Sequence, residues 1–117
     1  MLLVVGTDST HTRAFLSAGS KCGIQMSVWS ENSIEVDRLI NDYALAKIDD
    51  DLEPCIDGSA GVLIANRFGE DHFEPAKRVI SRDKPVFVDK PLVCDFSQAK
   101  KLKNLASERN SLLLSGS

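Results

Sequence analysis

The chain reads as a doubly wound α/β domain, a mostly parallel sheet flanked by helices in three layers, α/β/α. Three observations carry this. Short apolar runs recur along the 117 residues without the polar alternation of a sheet that faces water, as expected of strands buried on both faces. Between them lie stretches of helical spacing, long enough to cross over between parallel strands. A composition of 43% hydrophobic and 26% charged residues is that of an ordinary globular domain, and a chain of this length builds one core.

Residues 1–5 (MLLVV) form the first strand, which stops at Gly6. Thr7, Asp8, Ser9 and Thr10 supply N-cap candidates for a helix over about residues 11–18, and Gly19 and Gly23 mark its exit. Residues 24–29 form the second strand. Asn32 or Ser33 then caps a helix running to about residue 46, with Val36, Leu39, Ile40, Tyr43 and Ala44 on one face. Asp49, Asp50 and Asp51 are consecutive rather than loop-spaced like calcium ligands, so they read as a solvated loop and no metal site is expected. Residues 56–59 are turn material, and residues 61–65 (GVLIA) form the third strand. After a polar loop, residues 73–81 form a helix with Ala76, Val79 and Ile80 inward. The fourth strand covers residues 85–88, a long helix about 96–109, and the fifth strand 112–114, before a small-residue turn at 115–117. Because the chain stops just past a strand, further sequence is expected to follow.

The net charge of −3 offers no basic footprint for nucleic acid or an anionic membrane. Residues 1–5 are too short for a signal peptide, and no apolar stretch approaches spanning length. Cys22, Cys55 and Cys94 are odd in number and far apart, which fits reduced thiols and a cytoplasmic setting.

In open α/β sheets, ligands bind beyond the carboxyl ends of the strands. Residues 84–92 (KPVFVDKPL) place Asp89, Lys90 and Pro91 at such an end, as a candidate active-site edge or as a solvated strand exit with an exposed ion pair. Residues 6–11 (GTDSTH) occupy the position of the G-x-G-x-x-G dinucleotide fingerprint, in which glycines allow the tight turn, the approach of phosphate to backbone, and close helix packing. Only Gly6 is retained. Asp8 replaces the second glycine and brings a carboxylate to phosphate unless it turns away to cap the helix; His11 replaces the third. A plain capped turn explains the stretch equally well. Glu31, after the second strand, is placed to accept from an adenosine ribose and to repel a 2′-phosphate, or is an exposed loop glutamate.

Residues 61–92 (GVLIANRFGEDHFEPAKRVISRDKPVFVDKPL) resemble the N-terminal domain of the Gfo/Idh/MocA oxidoreductases, in which a strand, a polar loop, a His that opens a helix and a strand ending in Glu-Lys-Pro follow in this order. His72 and Asp89-Lys90-Pro91 match, and residues 95–117 resemble the family's next helix and strand. The resemblance implies a Rossmann-like fold binding NAD or NADP, NAD being favoured by Glu31, through Gly6, Thr7, Asp8, Ser9, Thr10, His11, Glu31, Asn66, Arg67, Lys90 and Pro91. It implies a catalytic group of Lys90, Asp89 and His72. Lys90 would hydrogen-bond a sugar- or polyol-like hydroxyl and assist its proton transfer, Asp89 would orient Lys90, and Pro91 would fix the turn, a cis bond being one way. This sequence departs from the family in Asp for Glu at 89, in Asn66-Arg67 for Thr-Pro, and in the depleted glycine loop.

The resemblance also implies a second domain that supplies the substrate site and a homo-oligomer interface, so these 117 residues alone are expected not to turn over. Two alternatives remain open. A nucleotide-sensing or structural Rossmann domain would bind cofactor without hydride transfer. A receiver-like signalling domain suits the length but needs an acidic pair after the first strand and an Asp ending the third, where this chain has Asp8 alone and Asn66.

Overall fold

The computed structural model describes residues 1–116. Its elements run β1 (Leu2–Val5), α1 (Thr10–Lys21), β2 (Met26–Trp29), α2 (Ser33–Tyr43), α3 (Leu52–Asp57), β3 (Gly61–Ile64), a 3₁₀ turn (Gly69–Asp71), α4 (Phe73–Ser81), β4 (Val86–Asp89), α5 (Phe96–Glu108) and β5 (Leu113–Gly116). The five strands form one sheet of order β2-β1-β3-β4-β5, and every pairing is parallel. The expected parallel α/β architecture is therefore present.

Strand periodicity divides the core in two. Leu3, Val5, Val62, Ile64, Val86 and Val88 face one side, where they meet Leu52, Cys55 and Ile56 of α3, Ala76, Val79 and Ile80 of α4, and Leu102 and Ala106 of α5. Val4, Met26, Val28 and Ala65 face the other, against Leu16 of α1 and Val36 and Leu39 of α2. Because β1 has helices on both faces and strands on both edges, Leu3, Val4 and Val5 are at most 1% exposed.

Strand ends shift by one or two residues from the sequence reading, and four larger differences bear on packing. Helix α1 runs past Gly19 to Lys21, because Gly19 lies where the helix backbone approaches Met26 and a side chain would collide with it. Helix α2 stops at Tyr43, with Ala44 in the left-handed conformation (φ 51°). Residues 52–57, partly read as turn, form α3, which buries Leu52, Cys55 and Ile56 at helical spacing; Pro54 is tolerated because it falls in the first turn. Finally, β5 extends through Ser115 and Gly116, where main-chain pairing with Val88 and Asp89 overrides the small-residue turn signal.

The acid run acts within the chain. Asp49 Oδ1 accepts from the Asp51 N–H at 2.9 Å, Asp50 pairs with Lys47 at 2.6 Å, and Asp51 is the N-cap residue of α3. The α2–α3 connection follows the β2 edge, where the Ser27 hydroxyl donates to the Ala46 carbonyl and the Trp29 indole to that of Asp50.

Two expectations follow. Ile80 is fully buried between sheet and helices, so Ile80→Ala should lower the unfolding free energy by about 2–5 kcal/mol in urea titration. Arg82 Nε donates to Asp57 Oδ1 at 2.7 Å, and this bond holds the Asp57 carboxyl below its ordinary value. A depressed carboxyl contributes stability above its unfolded value, near 3.9 for Asp, and loses it as pH falls through the folded value. In Arg82→Gln, Asp57 should titrate at higher pH by carboxyl NMR, and the acid-side loss of stability should be smaller.

Candidate cofactor crevice

Since the chain leaves β1 for β2 on one side and returns to β3 on the other, the loops after β1 and β3 part at the carboxyl edge. This is the topological switch point of an open α/β sheet, where such folds bind ligands. A cleft of about 450 Å³ opens there. Gly6 and Thr7 line it from the β1 exit, Trp29, Ser30 and Glu31 from the β2 exit, Asn66 from the β3 exit, and Pro75 and Arg78 from α4.

Gly6 adopts φ +104°, and a Cβ on it would stand 2.7 Å from the Asn66 nitrogen. Glycine is required twice here, for the backbone conformation and for the contact between the two loops. The Thr12 hydroxyl donates to the Gly6 carbonyl at 2.8 Å, and the Thr7 and Ser30 hydroxyls are 3.0 Å apart. Asn66 Oδ1 is buried without a hydrogen-bond partner among the described residues. A buried acceptor left unpaired costs roughly 1–3 kcal/mol, which a donor such as a ribose hydroxyl or a carboxamide would remove. The cleft's volume, its bare Gly6 floor, the Asn66 acceptor and the exposed Glu31 carboxylate together fit the nucleoside part of a dinucleotide.

The turn after β1, where the dinucleotide fingerprint would meet phosphate, is arranged otherwise. Ser9 is the N-cap of α1, its hydroxyl accepting from the His11 N–H at 3.1 Å. Asp8 does not cap the helix. Its Oδ1 accepts from the Arg67 main-chain N–H at 2.9 Å, linking the β1 and β3 exits across the switch point. The Arg67 guanidinium lies over the Phe68 ring, 5.7 Å from its centroid.

At the β4 exit, alternation turns Phe87 and Asp89 toward α1, while Val86 and Val88 enter the opposite core. One turn of α1 presents His11 and Phe15 to that pair. Phe15 meets Phe87 edge-on at 6.3 Å between centroids, and His11 Nδ1 bonds Asp89 Oδ2. The other Asp89 oxygen accepts from the Lys90 main-chain N–H at 3.0 Å. Asp89, only 13% exposed, is thus held by His11 and by the Lys90 main chain; the Lys90 side chain is exposed at the strand end. The Lys90-Pro91 peptide is cis.

His72 is fully buried. Its Nδ1 is 2.6 Å from the Pro91 carbonyl oxygen and its Nε2 is 2.7 Å from that of Asn66, so the ring braces the β4 exit against the β3 exit. The sequence expectation put His72 in a catalytic group; in the structure its side chain is enclosed and both ring nitrogens face main-chain carbonyls.

The sequence pattern of the oxidoreductase family with an NAD-binding Rossmann fold, Gfo/Idh/MocA, matches residues 2–117. The chain belongs to this family. Solved structures agree on the Gfo/Idh/MocA fold. A dehydrogenase from Clostridium difficile superposes with a TM-score of 0.85 at 23% identity, covering 98% of this chain and 38% of that one. A Gfo/Idh/MocA oxidoreductase from Vibrio cholerae gives 0.88 at 21%, covering 98% and 37%. Biliverdin reductase from Synechocystis, solved with biliverdin and NADP⁺, gives 0.78 at 24%, covering 97% and 36%. The chain therefore spans little more than a third of each. No curated protein matches it. As a Gfo/Idh/MocA domain it carries the family's NAD-binding Rossmann fold. Among the described residues no helix is long and apolar enough to cross a membrane.

The sequence reading did not single out Trp29, Ser30, Pro75 or Arg78. The strand-end rule that selected Glu31 applies equally to Trp29 and Ser30, and Pro75 and Arg78 are three apart on α4, a spacing that shares one face. His72→Ala would remove a fully buried ring that contacts the Pro91 and Asn66 carbonyl oxygens. It should lower stability by about 2–4 kcal/mol in denaturant titration, with His72→Gln intermediate.

Proposed function

We propose that the chain is the cofactor-binding half of an NAD(P)-dependent oxidoreductase that moves hydride between nicotinamide and a sugar- or polyol-like hydroxyl, with a second domain completing the substrate site. The observation that carries this reading is Lys90, exposed at the carboxyl end of β4 on a backbone fixed by Asp89 and by the His72–Pro91 contact. In this reading Lys90 is the group that touches substrate, donating a hydrogen bond to the reacting oxygen and assisting its proton transfer. The cofactor, when bound, accepts or supplies the hydride. Asp89, His11 and His72 act as positioning residues. Glu31 accepts from the adenosine ribose and disfavours a 2′-phosphate, so NAD is the preferred form. Oligomerisation through the second domain and a cytoplasmic setting belong to the same reading.

A non-catalytic nucleotide-sensing domain is the second reading. It draws on the engagement of two main-chain donors near the phosphate position, those of His11 and Arg67, by Ser9 and Asp8.

Trp29, the chain's one tryptophan, lines the cleft and reports on binding. Titration with NADH should quench its fluorescence saturably, and no saturable response to NADH or NADPH at millimolar levels would sink the cofactor reading. Glu31→Gln should reduce the preference for NADH over NADPH by about 3–10-fold, as expected for removing one charge near a 2′-phosphate in a solvated cleft. With the second domain present, Lys90→Ala should abolish hydride transfer while cofactor affinity persists. The sensing reading expects no transfer even with Lys90 intact.

A further inference from the structure

We infer that the Asp8 carboxylate is an internal anion that competes with the cofactor's pyrophosphate and limits dinucleotide affinity, an inference that rests on the cofactor reading above. Asp8 stands at the position where the dinucleotide fingerprint has its second glycine, the point at which backbone and pyrophosphate meet. Its side chain reaches neither the helix it precedes nor an arginine head. It crosses the switch point to take the Arg67 main-chain N–H at 2.9 Å and lines the cleft beside Gly6 and Thr7. A carboxylate accepting a main-chain N–H at the mouth of an anion site offers that donor what a phosphate oxygen would offer it. The nearby His11 N–H is already bonded to Ser9 Oγ, so the first turn of α1 has one donor fewer for an incoming anion.

The positive charge that could offset Asp8 is directed elsewhere, since the Arg67 guanidinium lies over Phe68. Across the cleft, Glu31, Glu70 and Glu74 add negative charge against Arg78, and Arg78 is 3.4 Å from Glu53. A phosphate entering this crevice both displaces the Asp8–Arg67 bond and meets the displaced carboxylate. Like charges about 6 Å apart at an effective dielectric of about 40 weaken binding by about tenfold per unit charge. A ligand part without charge, such as the adenosine that fits the cleft, carries no such penalty. The chain is thereby selective for the nucleoside over the phosphate portion of its ligand, and the depleted fingerprint becomes an affinity control.

Asp8→Asn tests the charge alone, because the amide oxygen can still accept from the Arg67 N–H. Asp8→Gly restores the glycine and releases that N–H as well. Adenosine, ADP and NADH are titrated against the full chain and both variants by Trp29 fluorescence at low and high salt, with far-UV circular dichroism confirming the fold. Asp8→Asn should bind ADP and NADH about tenfold more tightly than the parent at low salt, Asp8→Gly at least as much more tightly, and adenosine no differently. The gain should shrink at high salt as screening shortens the reach of the carboxylate. NADH binding of one affinity to parent and variants would overturn the inference and leave the cofactor reading standing. An equal gain for adenosine would also overturn it, because the change would then be one of cleft shape. No binding of NADH or NADPH to any of the three proteins would overturn the cofactor reading and the inference with it.

Discussion

The constraint on which the rest of the structure depends is the double pairing of β1. Leu2 to Val5 lie between Met26 to Trp29 on one edge and Gly61 to Ile64 on the other, all in parallel register. A strand enclosed in this way has every main-chain donor and acceptor engaged and both faces in the core, so its position is fixed by the whole domain. The chain must leave β1 in one direction and return from the other, and the exits of β1 and β3 are forced apart. The crevice is therefore a property of the topology, present before any side chain is chosen to line it.

Three contacts then set the crevice's shape, and each joins loops distant in sequence. Asp8 ties the β1 exit to the β3 exit, His72 ties the β3 exit to the β4 exit, and Asp89 ties the β4 exit to the first turn of α1 through His11. Together they close a ring around the carboxyl edge of the sheet. Two of the three use backbone as partner, and a contact to backbone holds a loop in place whatever side chains the loop carries. Lys90 inherits its position from this ring: its main-chain N–H is held by Asp89, and the carbonyl of the next residue, Pro91, is held by His72.

The same ring accounts for a loop that keeps one fingerprint glycine. Gly6 is irreplaceable because its backbone has φ +104° and lies against Asn66. The positions of the second and third glycines admit side chains because each has a partner across the edge, Asp8 with the Arg67 N–H and His11 with Asp89. The departures from the family pattern are thus coupled. A His at residue 11 suits an Asp at residue 89 that lies on the α1 face of β4, and an Asp at residue 8 suits a β3 exit whose main-chain N–H is turned toward it.

The sequence by itself determined the class of the fold, four of the five helices, all five strands, and the strand ends at which function would be found. These depend on local periodicity, on caps such as Ser9 and Asn32, and on apolar runs that cannot face water, all of which act over a few residues. It also determined that Lys90 would stand at a strand exit, because Val86 and Val88 fix the phase of β4. Only the tertiary structure decided the partners. Asp8 could cap its own helix or cross the sheet edge, Asp89 could meet its neighbour Lys90 or a histidine on another element, and His72 could face a ligand or lie between two carbonyls. Local spacing leaves each of these choices open, because the competing donors and acceptors lie on loops brought together only when β1 takes its place at the centre of the sheet.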